Sequence, residues 1–92
     1  MEKLRKRHYN ACIKRGVITP DTTIYDFLKK IVEEYHEVIE SVTYPPSLSD
    51  ETKQECIDLV MVIFNMLNHY NIDIRSEIIK NIETQENRCI IK

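Results

Sequence analysis

From Cys56 to Leu67 the chain offers almost no polar face. Set at about 100° per residue, Cys56, Ile57, Leu59, Val60, Met61, Val62, Ile63, Phe64, Met66 and Leu67 cover nearly the whole circumference of a helix. A helix that is apolar all round is stable only where other elements surround it. This segment is therefore expected at the centre of a helical fold or at a subunit interface. One strip stays polar along it: Glu51, Glu55, Asp58, Asn65 and His69 fall within roughly a quarter of the circle.

The punctuation of the chain agrees with an all-α fold. A single glycine and three prolines occur, and they fall where helices should stop: Gly16 and Pro20 after a first segment, Pro45 and Pro46 between a second and a third. Strand signals are nearly absent. The first helix is predicted over about Glu2 to Arg15, with Leu4, Tyr9, Cys12 and Ile13 forming a weak stripe. The second starts at Thr23, with Asp26 as a capping partner three residues on, and runs to about Val42. Ile24, Phe27, Leu28, Ile31, Tyr35, Val38, Ile39 and Val42 recur at helical spacing, so this helix is expected to pack on one side. The third extends from near Ser49 to about Tyr70. Asp73 caps a fourth, whose Ile74, Ile78, Ile79 and Ile82 are expected to be its buried side.

Ninety-two residues make one small domain, residues 1–92, with a core only marginally sufficient by itself, so self-association is the default expectation. The formal charge is −2, from 13 Lys and Arg against 15 Asp and Glu, which argues against a nucleic-acid surface. The one dense basic run, Lys3 to Arg7, reads as a solvated helix face. Cys12, Cys56 and Cys89 are odd in number and lack CxxC spacing, so neither a disulfide framework nor a zinc knuckle is supported. No apolar run reaches the length of a membrane span, and the charged start is not a secretory signal. A cytoplasmic protein with no membrane partner is expected.

Carboxylates carry the functional signal. Burying an unpaired carboxylate costs several kcal/mol or forces protonation, so Glu55 and Asp58, set among apolar neighbours, need a compensating partner. The second helix offers a complement. Glu34 and Glu37 stand about 60° apart at the edge of its apolar stripe, where they can face the third helix, while Glu33 and Glu40 lie further toward solvent. Four carboxylates meeting between two helices suit a hard ion such as Mg²⁺ or Mn²⁺ and do not suit zinc. Taken alone, the Glu33-Glu34-x-x-Glu37 run is more ordinarily a solvated face, with Lys29 and Lys30 counterbalancing Glu33 and Glu34 at i, i+4. Asn65 and His69 read as satisfied interior groups, and His36 points to solvent.

An EExxE motif (Glu33, Glu34, Glu37), seventeen residues, and then an ExxD motif (Glu55, Asp58) together resemble the signature of the MazG-type all-α nucleoside triphosphate pyrophosphohydrolases, relatives of dimeric dUTPases and dCTP pyrophosphatases. The resemblance covers roughly Thr22 to Arg88. It implies a four-helix antiparallel bundle completed by oligomerisation, as a homodimer or homotetramer. It further implies cleavage of a (deoxy)nucleoside triphosphate between the α and β phosphates, with Mg²⁺, or else Mn²⁺, as cofactor. Glu34, Glu37, Glu55 and Asp58 would be ligands, and Glu33 would activate the attacking water or help hold a second ion. The family tends to grip the departing pyrophosphate with an Asn followed by Lys and Arg on its last helix. Lys80, Asn81 and Arg88 are the counterparts here, with Lys80 preceding Asn81 rather than following it. Two rival classes stay in view: a non-catalytic helical interaction or regulatory module with a degenerate metal site, and a di-iron carboxylate bundle suggested by Glu33-x-x-His36.

Overall fold

A computed structural model describes residues 2–91, and the side chains of residues 2–88. Among the described residues there are four helices and no strand: α1 (Glu2–Lys14), α2 (Ile24–Ser41), α3 (Asp50–His69) and α4 (Ile74–Ile91). Their ends follow local chemistry. Gly16 takes a φ of +75° just past α1, a conformation in which a Cβ would be strained. At the start of α2 a full capping box forms, the Thr23 side chain accepting from the Asp26 amide and the Asp26 carboxylate accepting from the Thr23 amide at 2.8 Å. Ser49 caps α3 through the Thr52 amide, and Asp73 accepts from the Ser76 amide and hydroxyl at the start of α4.

α3 is the central element. α2 packs along it most extensively, α1 lies against it less, and α4 touches it least. Two polar contacts tie α1 to α3. Asn65, buried, donates from Nδ2 to His8 Nδ1 at 3.1 Å, and the Tyr9 hydroxyl lies 3.0 Å from His69 Nδ1. Asn65 and His69 are thus satisfied interior groups, as their place on the wheel implies. Arg5 departs from the solvated basic run expected of Lys3 to Arg7. It is buried, with its guanidinium 5.2 Å over the Phe64 ring, because an arginine stem packs well and its planar head tolerates an aromatic face.

α2 packs on one side, against α3, as expected, but its apolar stripe is only partly covered there. Phe27 is buried and Ile31 and Val38 are half-buried against α3, but Leu28, Val32, Tyr35, Ile39 and Val42 all lie exposed. The apolar arc of α2 spans about 140° of the helix circumference by its residue spacing, and α3 covers only the part that holds Phe27, Ile31 and Val38. In α4, likewise, Ile74 is buried while Ile78, Ile79 and Ile82 are exposed. Among the described residues the buried apolar core is correspondingly small: Ile18, Phe27 and Ile74. The chain exposes 7438 Å², whereas a compact protein of its 11.0 kDa exposes about 5,600 Å². Its radius of gyration of 15.8 Å likewise exceeds the roughly 12 Å of a compact domain this long.

Candidate metal centre

Three carboxylates converge between α2 and α3. Glu34, Glu37 and Glu55 each place an oxygen within 4.8 Å of the other two. Glu34 and Glu37 are one helical turn apart on α2, and Glu55 meets them from the second turn of α3. The burial is graded: Glu34 is only 6% exposed, Glu55 is half-buried and Glu37 is open to solvent. Oε2 of Glu34 and Oε2 of Glu55 are both buried without a hydrogen-bond partner. A buried carboxylate oxygen left unpaired is costly, and the protein's own groups leave these two unanswered, a circumstance that a bound cation would relieve. Oxygens bound in common to one octahedral Mg²⁺ lie about 3 to 4 Å apart. The three side chains fit such an ion with small adjustments.

One protein cation does reach the cluster. Lys30 Nζ stands 3.1 Å from Glu34 Oε1 and 3.8 Å from Glu33 Oε2. The hydrogen bond to Glu34 holds the Lys30 ammonium above the usual lysine range, against partial burial, with the charges of Glu34, Glu33 and Glu37 adding to it. The i, i+4 pairing of Lys30 with Glu34 is as the spacing implies, and Lys30 also serves Glu33.

Beside the cluster opens a cavity of about 440 Å³, bounded by α1, the α1–α2 loop, α2 and α3. Val17, Ile18, Phe27 and Val62 give it an apolar wall, while His8, Cys12, Arg15, Lys30, Glu34 and Asp58 give it polar groups. A mostly apolar cleft with a few convergent polar groups is the usual form of a small-molecule site, and the volume lies within the usual range. Glu34 belongs to both the cluster and the cavity wall, so a ligand in the cavity would lie next to whatever the carboxylates hold.

The remaining sequence candidates are distributed as follows. Asp58 is not in the three-carboxylate cluster. It lines the cavity, half-buried, and accepts from Gln54 Nε2 at 3.2 Å. Glu33 is exposed and paired with Lys30. Lys80, Asn81 and Arg88 are exposed on α4 and do not line the cavity; the Lys80 ammonium lies 3.5 Å from Glu77 Oε1. His36 is exposed, as expected. Cys12 and Cys56 are free thiols, and the side chain of Cys89 lies outside the described residues. His8, Cys12 and Arg15 were not legible as site residues, because α1 carries only a weak stripe and its docking onto α3 is what brings them to the rim of the cavity, His8 and Arg15 exposed and Cys12 half-buried. No protein-family model, no curated protein and no solved structure matches the chain.

Proposed function

We propose that the chain is a Mg²⁺-dependent nucleoside triphosphate pyrophosphohydrolase, cleaving a (deoxy)nucleoside triphosphate to the monophosphate and pyrophosphate. The observation that carries this is the convergence of Glu34, Glu37 and Glu55, with two buried carboxylate oxygens unpartnered, at the edge of a nucleotide-sized cavity. Glu34, Glu37 and Glu55 would hold the ion, with Asp58 recruited from the cavity wall. A divalent ion there supplies charge neutralisation for the polyphosphate and lowers the pKa of water toward neutrality. Glu33 would take the proton as water adds to the α phosphorus and the bond to the bridging oxygen breaks, releasing pyrophosphate. The apolar wall of Ile18, Phe27 and Val62 suits the face of a base or sugar, and Arg15 offers a positive group at the same cavity.

The same proposal includes a homo-oligomer. The surface in excess of a compact monomer, about 1,800 Å², is more than the roughly 800 Å² each partner gives up in a standard interface. Leu28, Val32, Tyr35 and Ile39 of α2, followed by the C-cap residue Val42, alternate at spacings of three and four, the pattern of a helix–helix seam. A second copy laid on that seam would complete a helical bundle.

Release of pyrophosphate from a panel of nucleoside triphosphates, with and without Mg²⁺, tests the catalytic assignment. Asp58→Asn and Glu37→Gln should each lower turnover by orders of magnitude; wild-type turnover in both would overturn it. One observation favours the alternative of a non-catalytic helical module: Lys80, Asn81 and Arg88 lie outside the cavity of the single chain. That alternative expects metal-independent stability and no phosphohydrolase activity with any triphosphate.

A further inference from the structure

The proposed metal centre has a cation of its own chain already in contact with it. Glu34 is the most buried of the three clustered carboxylates, and its two oxygens differ in circumstance: Oε1 meets Lys30 Nζ at 3.1 Å, while Oε2 is buried and unpartnered. A lysine ammonium brings a single charge on a flexible stem, and among the described residues the Lys30 ammonium pairs with Glu34 Oε1 and Glu33 Oε2 but with neither Glu37 nor Glu55. It therefore satisfies one oxygen of the cluster and leaves the buried Oε2 atoms of Glu34 and Glu55 unanswered. The Lys30 side chain is half exposed, so it can swing from Glu34 without breaking any buried packing. Lys29, one residue earlier on α2, carries the same charge but makes no ion pair among the described residues.

We propose that Lys30 is a tethered competitor for the metal centre: its ammonium occupies Glu34 in the metal-free protein, must leave that carboxylate when a divalent ion binds, and so sets the ion concentration at which the centre fills. This rests on the assignment of Glu34, Glu37 and Glu55 as a metal site. The competition is specific to position 30, because it depends on contact with the carboxylate and not merely on net charge. Removing a nearby charge strengthens cation binding in a general way; removing the contacting ammonium also abolishes the exchange that each bound ion must drive.

Titration of the protein with Mn²⁺ by calorimetry, at fixed pH and ionic strength, tests this with Lys30→Met, Lys30→Gln and Lys29→Met as the variants. Both Lys30 variants should bind Mn²⁺ about tenfold more tightly than the wild type, and Lys29→Met at most about twofold more tightly, as expected for an exposed charge not in contact. Equal gains at positions 29 and 30 would reduce the effect to net charge and overturn the competition. So would unchanged or weaker binding by the Lys30 variants. Absence of Mn²⁺ binding in the wild type and every variant would instead remove the metal centre itself, and the competition with it. Without metal, Lys30→Met leaves Oε1 of the buried Glu34 without its ion-pair partner and should melt below the wild type, Lys30→Gln less so because its amide can still donate to that oxygen, and added Mn²⁺ should narrow both gaps.

Discussion

The Tyr9 hydroxyl and His69 Nδ1, sixty positions apart in the chain, lie 3.0 Å from one another. His69 Nε2 meets the Thr22 carbonyl at 3.0 Å, and a carbonyl can only accept, so Nε2 carries the proton and Nδ1 accepts from Tyr9. One imidazole thus joins α1, α3 and the loop leading into α2, with Phe27 and Tyr70 against its ring. Tyr9→Phe removes one donor and leaves Nδ1 partly buried and unpaired. Its unfolding free energy in urea should fall by about 0.5 to 1.5 kcal/mol, with the larger consequence at the cavity, whose wall α1 supplies.

Acid should weaken the start of α2 through Asp26. Hydrogen bonds from the backbone amide and then the hydroxyl of Thr23 hold its carboxyl below the ordinary 3.8, with the Lys29 charge adding and slight desolvation opposing. A carboxylate whose folded-state pKa is depressed stabilises the fold fully above its unfolded value, and loses that contribution as pH falls through the folded value. Asp73, bonded to the Ser76 hydroxyl and amide, behaves in the same sense at the start of α4. Asp26→Ala and Asp73→Ala should therefore be less stable than wild type at pH 7. The gap should close as pH falls below the ordinary aspartate range, as thermal unfolding followed by circular dichroism would register. A gap that persists undiminished at pH 2 would contradict these capping roles.

Divalent ions should stabilise the fold through the three clustered carboxylates. At an ion concentration ten times its Kd the gain is about 1.4 kcal/mol, which for a domain of this size raises Tm by roughly 5 to 10 °C. Glu34→Gln should lose most of that shift. In the metal-free protein the same variant relieves repulsion with Glu37 and Glu55 but gives up the ion pair with Lys30, so its Tm should differ little from wild type. Differential scanning calorimetry with and without Mg²⁺ checks both outcomes.

The seam on α2 should respond to charge. Leu28→Glu together with Ile39→Glu places like charges on an interface between two copies while changing only exposed positions of the single chain. Sedimentation should show the wild type as a dimer or larger and the double variant shifted toward monomer, with stability that no longer rises with protein concentration. An unchanged sedimentation profile would show that the seam is not where the copies meet.

Much of the chain was legible because its signals are local. Thr23 with Asp26, Ser49 with Thr52, and Asp73 with Ser76 complete their bonds within one helical turn, so the starts of α2, α3 and α4 fall close to where the spacing puts them. The facing of Glu34 toward α3, and the interior places of Asn65 and His69, follow from the same periodicity. Arg5 escaped that logic: nothing in a run of basic residues marks the one whose stem and guanidinium lie against Phe64.

The sequence by itself determined which residues are helical and which carboxylates share a helix face, while the exposure of Leu28, Ile39, Ile78 and Ile82 emerged only on folding. The tertiary structure decided that Glu34, Glu37 and Glu55 meet while Asp58 turns to the cavity wall, and that His8, Cys12 and Arg15 join that cavity. It also decided that Lys80, Asn81 and Arg88 stay outside the cavity. The division has one physical cause. Helix hydrogen bonds and caps close over three or four residues, so their information is written consecutively. The approach of two helices is set instead by many weak side-chain contacts between ridges and grooves, distributed over residues that are neighbours only once the chain has folded.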